Sequence, residues 1–244
     1  MIKTFSLTDI GKKRESNQDY VYSSETPVGN LPNLFILADG MGGYNGGDLA
    51  SQLAVETVVD SCRNSAESLP RKIFEEAIVL TNSVVREKAA SLKELEGMGT
   101  TIVCATILEQ NVLHIANVGD SRLYIVNDDF IRQITTDHSY VEEMIKVGSI
   151  DRESARNHPK KNIITRAIGA DDFIVPDFFT VKLKPGDVIL LCSDGLSNMI
   201  YDDEIMMIIK KEKDMAGKAE ALIAAANDNG GLDNISVILV DPFA

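Results

Sequence analysis

Short apolar runs alternate with polar turns along most of this chain. "DYVYSS" (19–24), "LFILAD" (34–39), "TTIVCATIL" (100–108), "VLHIANVGD" (112–120), "SRLYIVN" (121–127), "FIRQIT" (130–135), "FIVPDFFTVKL" (173–183), "DVILLCSD" (187–194) and "ISVILVD" (235–241) have the length and β-branched content of strands. Several are joined by very short links, which favours antiparallel hairpins over parallel crossovers. Two stretches switch to a helical period. Residues 46–62 and 70–92 each carry an apolar stripe, formed in the second by Ile73, Phe74, Ala77, Ile78, Thr81, Val84 and Val85, and Pro70 suits a first helical turn. Near the C-terminus, "DDEIMMIIKKEK" (202–213) and "DMAGKAEALIAAAND" (214–228) predict two more helices, the latter stopped by "NGG". Strands, two helices, many strands, two helices and a final strand show no regular βα alternation. The expected class is therefore α+β, antiparallel sheets covered by helices. No linker, repeat or low-complexity segment divides residues 1–244, so one domain is the simplest count.

Composition narrows the function. At 44% hydrophobic and 25% charged residues, the chain reads as globular rather than disordered. A formal charge of -13 argues against a nucleic-acid surface, because phosphate backbones are held by clustered Lys and Arg. Such a chain prefers cations. Cys62, Cys104 and Cys192 lie far apart in apolar surroundings without CxxC spacing and read as buried thiols. No apolar run approaches the ~18 residues of a membrane span, and the start lacks a long apolar leader segment. No membrane partner and a reducing cytoplasm are expected, with a monomer as the expected assembly.

Residues 137–166 hold short, weakly apolar helical pieces. With six basic residues against five acidic ones, this insertion stands out in so acidic a chain. Insertions of this kind serve as lids or recognition flaps, or simply as solvated connections.

Four carboxylates recur at comparable places. Three apolar runs end in Asp39, Asp120 and Asp194, and a fourth begins just after Asp233. In an antiparallel sheet the start of one strand lies beside the end of its neighbour, so all four can meet at one rim. Two such charges about 5 Å apart repel by roughly 3 kcal/mol at an effective dielectric near 20, so either protons or cations must sit among them. Neither His nor Cys joins the cluster. An all-oxygen set suits Mg²⁺ or Mn²⁺ and suits Zn²⁺ poorly. A pair of such ions can acidify a water and neutralise a phosphoryl group, giving hydrolysis without a protein nucleophile. Asp19, in "RESNQDY", is either a further carboxylate of this cluster or a turn acid. Arg14, five residues earlier, is either a phosphate clamp or a solvated cation.

"RESNQDY", "LADGMGG", "GMGTT", "VGDSRLY", "SDGLSN" and "DNGGLDNISVILV", in this order over residues 14–240, resemble the metal-dependent protein phosphatase family called PP2C, and its bacterial branch in particular. That resemblance implies a four-layer α-β-β-α sandwich, two antiparallel sheets flanked by helices, with a two-metal centre in a cleft at one end of the sheets. It further implies removal of phosphate from phosphoserine and phosphothreonine in proteins, with two Mn²⁺ or Mg²⁺ ions and a possible third. Phosphoproteins are then the substrates and a bacterial Ser/Thr kinase the opposing partner. By position, Asp39 resembles the carboxylate that bridges both ions, with the Gly40 carbonyl completing one set of ligands. Asp194 and Asp233 resemble the remaining ligands of one ion, and Asp19 the acid that holds bound waters. Arg14 matches the phosphate-binding arginine. Asp120 matches the residue that joins Asp194 around a third, weaker ion, and Asn234 the residue that steadies the loop. Residues 137–166 resemble the bacterial flap.

The chain departs from animal members at two positions. Met41 replaces the histidine proposed there as the acid for the leaving group, and Gln18 replaces an acidic residue. His138 and His158 are read as flap structure rather than as acids, and His114 as a packed histidine. Two other classes compete: a catalytically silent phosphoprotein-binding module, which should have lost a metal carboxylate or the arginine, and a small-molecule phosphohydrolase gripping mainly the phosphate.

Overall fold

The computed structural model describes residues 1–42, 46–212 and 214–244. Two antiparallel sheets form its centre. One has the order β1 (Lys3–Asp9), β11 (Ile235–Asp241), β10 (Val188–Cys192), β7 (Arg122–Val126), β8 (Ile131–Gln133). The other runs β2 (Asp19–Ser24), β3 (Leu34–Met41), β5 (Ile102–Leu108), β6 (Val112–Val118), β9 (Asp177–Lys182), with β4 (Gly99–Thr100) paired to β3.

Alternate residues of each central strand point to opposite faces, and both faces are covered. Phe35 and Leu37 of β3 meet Leu123, Ile125, Ile189, Leu191, Ile238 and Val240 in a core between the sheets. Ile36 and Ala38 face the other way, onto α1 (Gly47–Asn64) and α2 (Pro70–Ser91), where Ala54, Val58, Phe74 and Ile78 are buried. On the far side, Leu190, Cys192, Val237 and Leu239 pack against Ile205 and Ile209 of α6 (Asp202–Lys211) and Leu222 and Ala226 of α7 (Met215–Asp228). Burial on both faces explains why the strands read as continuous apolar runs instead of clean alternation. The four-layer α-β-β-α sandwich implied by the resemblance is the observed architecture.

The differences from expectation have local causes. β1 pairs with β11 over seven residues, yet "KTFSLTD" offers only Phe5 and Leu7 as apolar signal, because an edge strand needs little. β9 begins at Asp177 rather than Phe173: Pro176 cannot donate to a ladder, and Phe173 and Val175 are exposed. A short helix, α5 (Asp194–Ser197), begins where the sequence suggests only a turn. Of the predicted helix 202–213, the last position, Lys213, lies outside the described residues, as does Gly43 of the "LADGMGG" motif.

The 137–166 segment carries α3 (Tyr140–Lys146), whose N-cap Ser139 accepts from the Glu142 N–H, and α4 (Arg152–Arg156), whose N-cap Asp151 accepts from the Ser154 N–H. Its two ends are tied together, Tyr140 N–H donating to the Ile163 carbonyl and Thr165 N–H to that of His138, both at 2.8 Å. The three cysteines are buried and unpaired. Among the described residues, no helix is long and apolar enough to cross a membrane.

Candidate metal centre

The register places the carboxylates. Asp19, opening β2, sits directly opposite Asp39 near the end of β3. Asp194 follows β10 and Asp233 precedes β11, strands held in register by Cys192 opposite Val237 and by a Ser193 N–H bond to the Ser236 carbonyl at 3.1 Å. Asp120 lies where the chain leaves β6 in one sheet and enters β7 in the other. The pattern of apolar runs suggested the rim of one sheet; the rim is the common end of two, as the resemblance implied. Asp39, Asp120, Asp194 and Asp233 line one cleft of about 940 Å³ with Gly40, Met41 and Arg14, while Asp19 is buried behind it.

The electrostatics are those of crowded, desolvated acids. Burial pushes Asp19 up to about 6; the Asp233 charge adds to this, and hydrogen bonds from Ser236 and Ser193 oppose it. Asp194 is pushed to about 7 by burial and then by Asp233 and Asp19. Asp39 and Asp120 are held well above the usual carboxylate range, again first by burial. Asp39 feels the charges of Asp19, Asp194, Asp120 and Asp233 together. One oxygen each of Asp19 and Asp120, Oδ1 in both, is buried without a hydrogen-bond partner, a condition that costs about 1–3 kcal/mol per group.

Three further oxygens of the cluster accept from side-chain donors. Ser193 Oγ donates to Asp19 Oδ2 at 2.7 Å, Asn198 Nδ2 to Asp194 Oδ2 at 3.0 Å, and Arg14 Nη2 to Asp233 Oδ2 at 2.7 Å. With the side chains so turned, no three His, Cys, Asp or Glu among the described residues form a finished ligand group for a metal ion. Arg14 is at the cleft as expected, but its guanidinium rests on a carboxylate. The backbone of Asp39 is fixed through Thr101, whose Oγ1 accepts from the Asp39 N–H at 3.0 Å and lies 2.7 Å from Ser121 Oγ, and through Thr100 Oγ1, which donates to the Asp39 carbonyl at 2.9 Å.

Two glycines allow the elements to close. A Cβ on Gly40 would stand 1.9 Å from the Gly47 carbonyl oxygen at the start of α1, and one on Gly195 would stand 1.9 Å from the Asn234 carbonyl oxygen. Asn234 ties the rim together: Nδ2 donates to the carbonyls of Ile10 and Ser16, both at 2.9 Å, and Oδ1 accepts from the Gln18 N–H at 2.9 Å. It binds the "RESNQDY" segment to the start of β11.

Sequence reasoning did not single out Thr101, Ser193, Asn198 or Ser236. Ser193 directly precedes Asp194, but Asn198 and Ser236 lie a few residues from a motif acid and Thr101 beside none, so the sequence carries little signal for them. His138 is buried in the base of the 137–166 segment, its Nδ1 accepting from the Gly119 N–H at 3.0 Å and its Nε2 lying 3.1 Å from Asp177. His158 Nδ1 accepts from the Lys160 N–H. His114, expected to be packed, is only partly buried on β6 beside Thr180. Asn162 and Ile164 reach the main cleft, and a second hollow of about 430 Å³ between α3, α4 and the start of α6 shares Asp120 and Asp194 with it.

Comparison with known proteins converges on one family. The model of the family described as Protein phosphatase 2C matches residues 11–233. A serine/threonine phosphatase, stp, of Listeria innocua is 41% identical over 238 residues, covering 96% of this chain and 93% of that protein. The crystal structure of serine/threonine phosphatase Stp1 from Staphylococcus aureus superposes with a TM-score of 0.93 at 34% identity, covering 100% of this chain and 96% of the other. The catalytic domain of the serine/threonine protein phosphatase PstP, solved in complex with 2 manganese ions, matches with a TM-score of 0.85 at 30% identity over 98% of this chain and 97% of its own.

Proposed function

The chain belongs to the protein phosphatase 2C family, and from that premise we propose that it hydrolyses phosphoserine and phosphothreonine in proteins, opposing a Ser/Thr kinase. We propose further that residues 1–244 work as one catalytic domain, with residues 137–166 as a flap over its cleft. The observation that carries this reading is the gathering of buried and half-buried, mutually repelling carboxylates from two sheets around one cleft that also holds Arg14.

The residues fit divalent cations of the hard type. The donors are all oxygen, two buried oxygens lack partners, and the raised carboxyl groups would regain their charge beside a cation. Asp39, which feels all the others, is the side chain suited to bridging two ions; Asp194, Asp233 and the Gly40 carbonyl would complete their ligands, with Asp19 holding water behind. Asp120 with Asp194 would take a third. Manganese or magnesium bound there supplies the charge that acidifies water and neutralises a phosphoryl group.

The remaining chemistry follows from the chain. Arg14 offers a planar fork of donors at the mouth of the cleft and orients phosphate oxygens. No thiol can attack, since burial pushes Cys62 and Cys192 up to about 12 and Cys104 well above its usual range. Beside hard cations no protein nucleophile is needed, and we take the attacking oxygen to be that of water. Met41 lines the cleft and has no proton to give the departing alkoxide, so general-acid help comes from bound water or is absent.

All the carboxylates and Arg14 are retained, which speaks against the silent binding module. The test is turnover of a phosphothreonine peptide, p-nitrophenyl phosphate and nucleotides with Mn²⁺. Preference for the peptide is expected. Preference for nucleotides would replace this reading with a small-molecule phosphohydrolase, and absence of all turnover would contradict it.

A further inference from the structure

α4 ends in Arg156, whose guanidinium reaches out of the 137–166 segment to the chain just beyond α5. Nη1 donates to the Ser197 carbonyl at 2.8 Å; Nη2 donates to those of Ile200 at 2.9 Å and Asn198 at 3.3 Å. The guanidinium carbon lies 3.9 Å from the centroid of the Tyr201 ring. A helix as short as α5 leaves its last carbonyls without partners of its own, and one planar fork satisfies three carbonyls here at once.

The turn gripped in this way also holds the cleft. Asn198 donates through Nδ2 to Asp194 Oδ2 at 3.0 Å and through its backbone N–H to the Asp194 carbonyl at 2.7 Å. A chain of direct bonds therefore runs from α4 through the 197–200 turn to a carboxylate of the cleft. Arg152, at the other end of α4, makes no such connection: its side chain is 71% exposed and pairs with Glu142 at 3.4 Å.

We propose that Arg156 is a positioning residue through which the 137–166 segment fixes the Asp194 carboxylate, and so sets the affinity of the cleft for divalent ions. The proposal rests on the reading of the cleft as a metal centre. A purely structural anchor would change melting temperature and leave ion affinity untouched.

Calorimetric titration of Mn²⁺ into the metal-stripped full chain separates these roles. Arg156→Ala should weaken Mn²⁺ binding about tenfold, the lower end of what loss of a partner behind a metal ligand costs. Arg156→Lys should rescue it only in part, because an ammonium lacks the planar fork. Arg152→Ala should bind as the wild type does. Asn198→Ala should also weaken binding, and the double variant with Arg156→Ala should be no weaker than Asn198→Ala alone, since both act along one path. Should the alanine variant fail to fold, Arg156→Gln carries the same comparison. Wild-type Mn²⁺ affinity in a folded Arg156 variant, or additive losses in the double variant, would overturn the proposal while leaving the metal centre in place. A wild-type chain that neither binds Mn²⁺ nor turns over a phosphothreonine peptide would overturn both.

Discussion

Asp39 shows what a single side chain is asked to do in this cleft. Opposite Asp19 and within the fields of Asp120, Asp194 and Asp233, its carboxyl is held well above the usual carboxylate range, first by burial and then by repulsion. Asp39→Asn removes the charge needed to hold ions but also the repulsion. Turnover of a phosphothreonine peptide should fall by at least ~10²–10³-fold, while the metal-stripped variant melts no lower than the wild type. Wild-type-like activity in that variant would contradict the assignment. Asp120→Ala should lower activity yet leave two ions bound; calorimetry showing loss of all Mn²⁺ binding would place Asp120 in the principal site instead. These acids were legible because each interrupts or borders an apolar run. Ser193 and Asn198, which orient them, were not: a lone hydroxyl or amide near an acid is the commonest turn chemistry, Ser193's partner Asp19 lies far away in sequence, and Asn198 meets Asp194 only because the chain turns into α5.

At the scale of elements, the rim depends on close approaches that only glycine permits. The Cβ of Gly40→Ala would collide with backbone atoms of Gly47 and Gln18, at 1.9 Å and 2.7 Å from their carbonyl oxygens, so α1 must move away from β3. A cost of about 1–3 kcal/mol is expected. For a chain of this length that is a fall of roughly 2–4 °C in melting temperature per kcal/mol, checked by thermal unfolding; an unshifted midpoint would show that α1 yields freely. The strands and four long helices were legible through period and punctuation. β1 was missed because an edge strand with two apolar residues carries little pattern, and α5 because four residues show no helical period. That the acidic rim belongs to two sheets was implied only by the family resemblance and could not be read from the pattern of the runs. Strand order across a sandwich is set by packing of the faces, and β6 and β7, adjacent in sequence, lie in different sheets.

For the whole molecule, the raised acids make stability depend on pH in an uncommon direction. Asp19 and Asp194 titrate near 6 and 7 in the folded chain, above their ordinary value of 3.8. Their folded-state protons stabilise fully below about pH 4, and that stability is lost as pH rises through 6 and 7. The metal-stripped chain should therefore melt higher at pH 5.5 than at pH 7.5, by an amount on the order of 1–3 kcal/mol, and Mn²⁺ at pH 7.5 should restore the loss by binding only the folded state. Asp39→Asn should flatten the profile. A melting temperature that falls on going from pH 7.5 to 5.5 would mean the cluster is not strained by its own charge. The central claim, that carboxylates carried to one cleft by two sheets hold a pair of divalent ions, is tested most directly by anomalous diffraction from crystals soaked in Mn²⁺. Two strong peaks between Asp39 and the side chains of Asp19, Asp194 and Asp233 are predicted; a cleft without peaks, or manganese held only elsewhere, would contradict it.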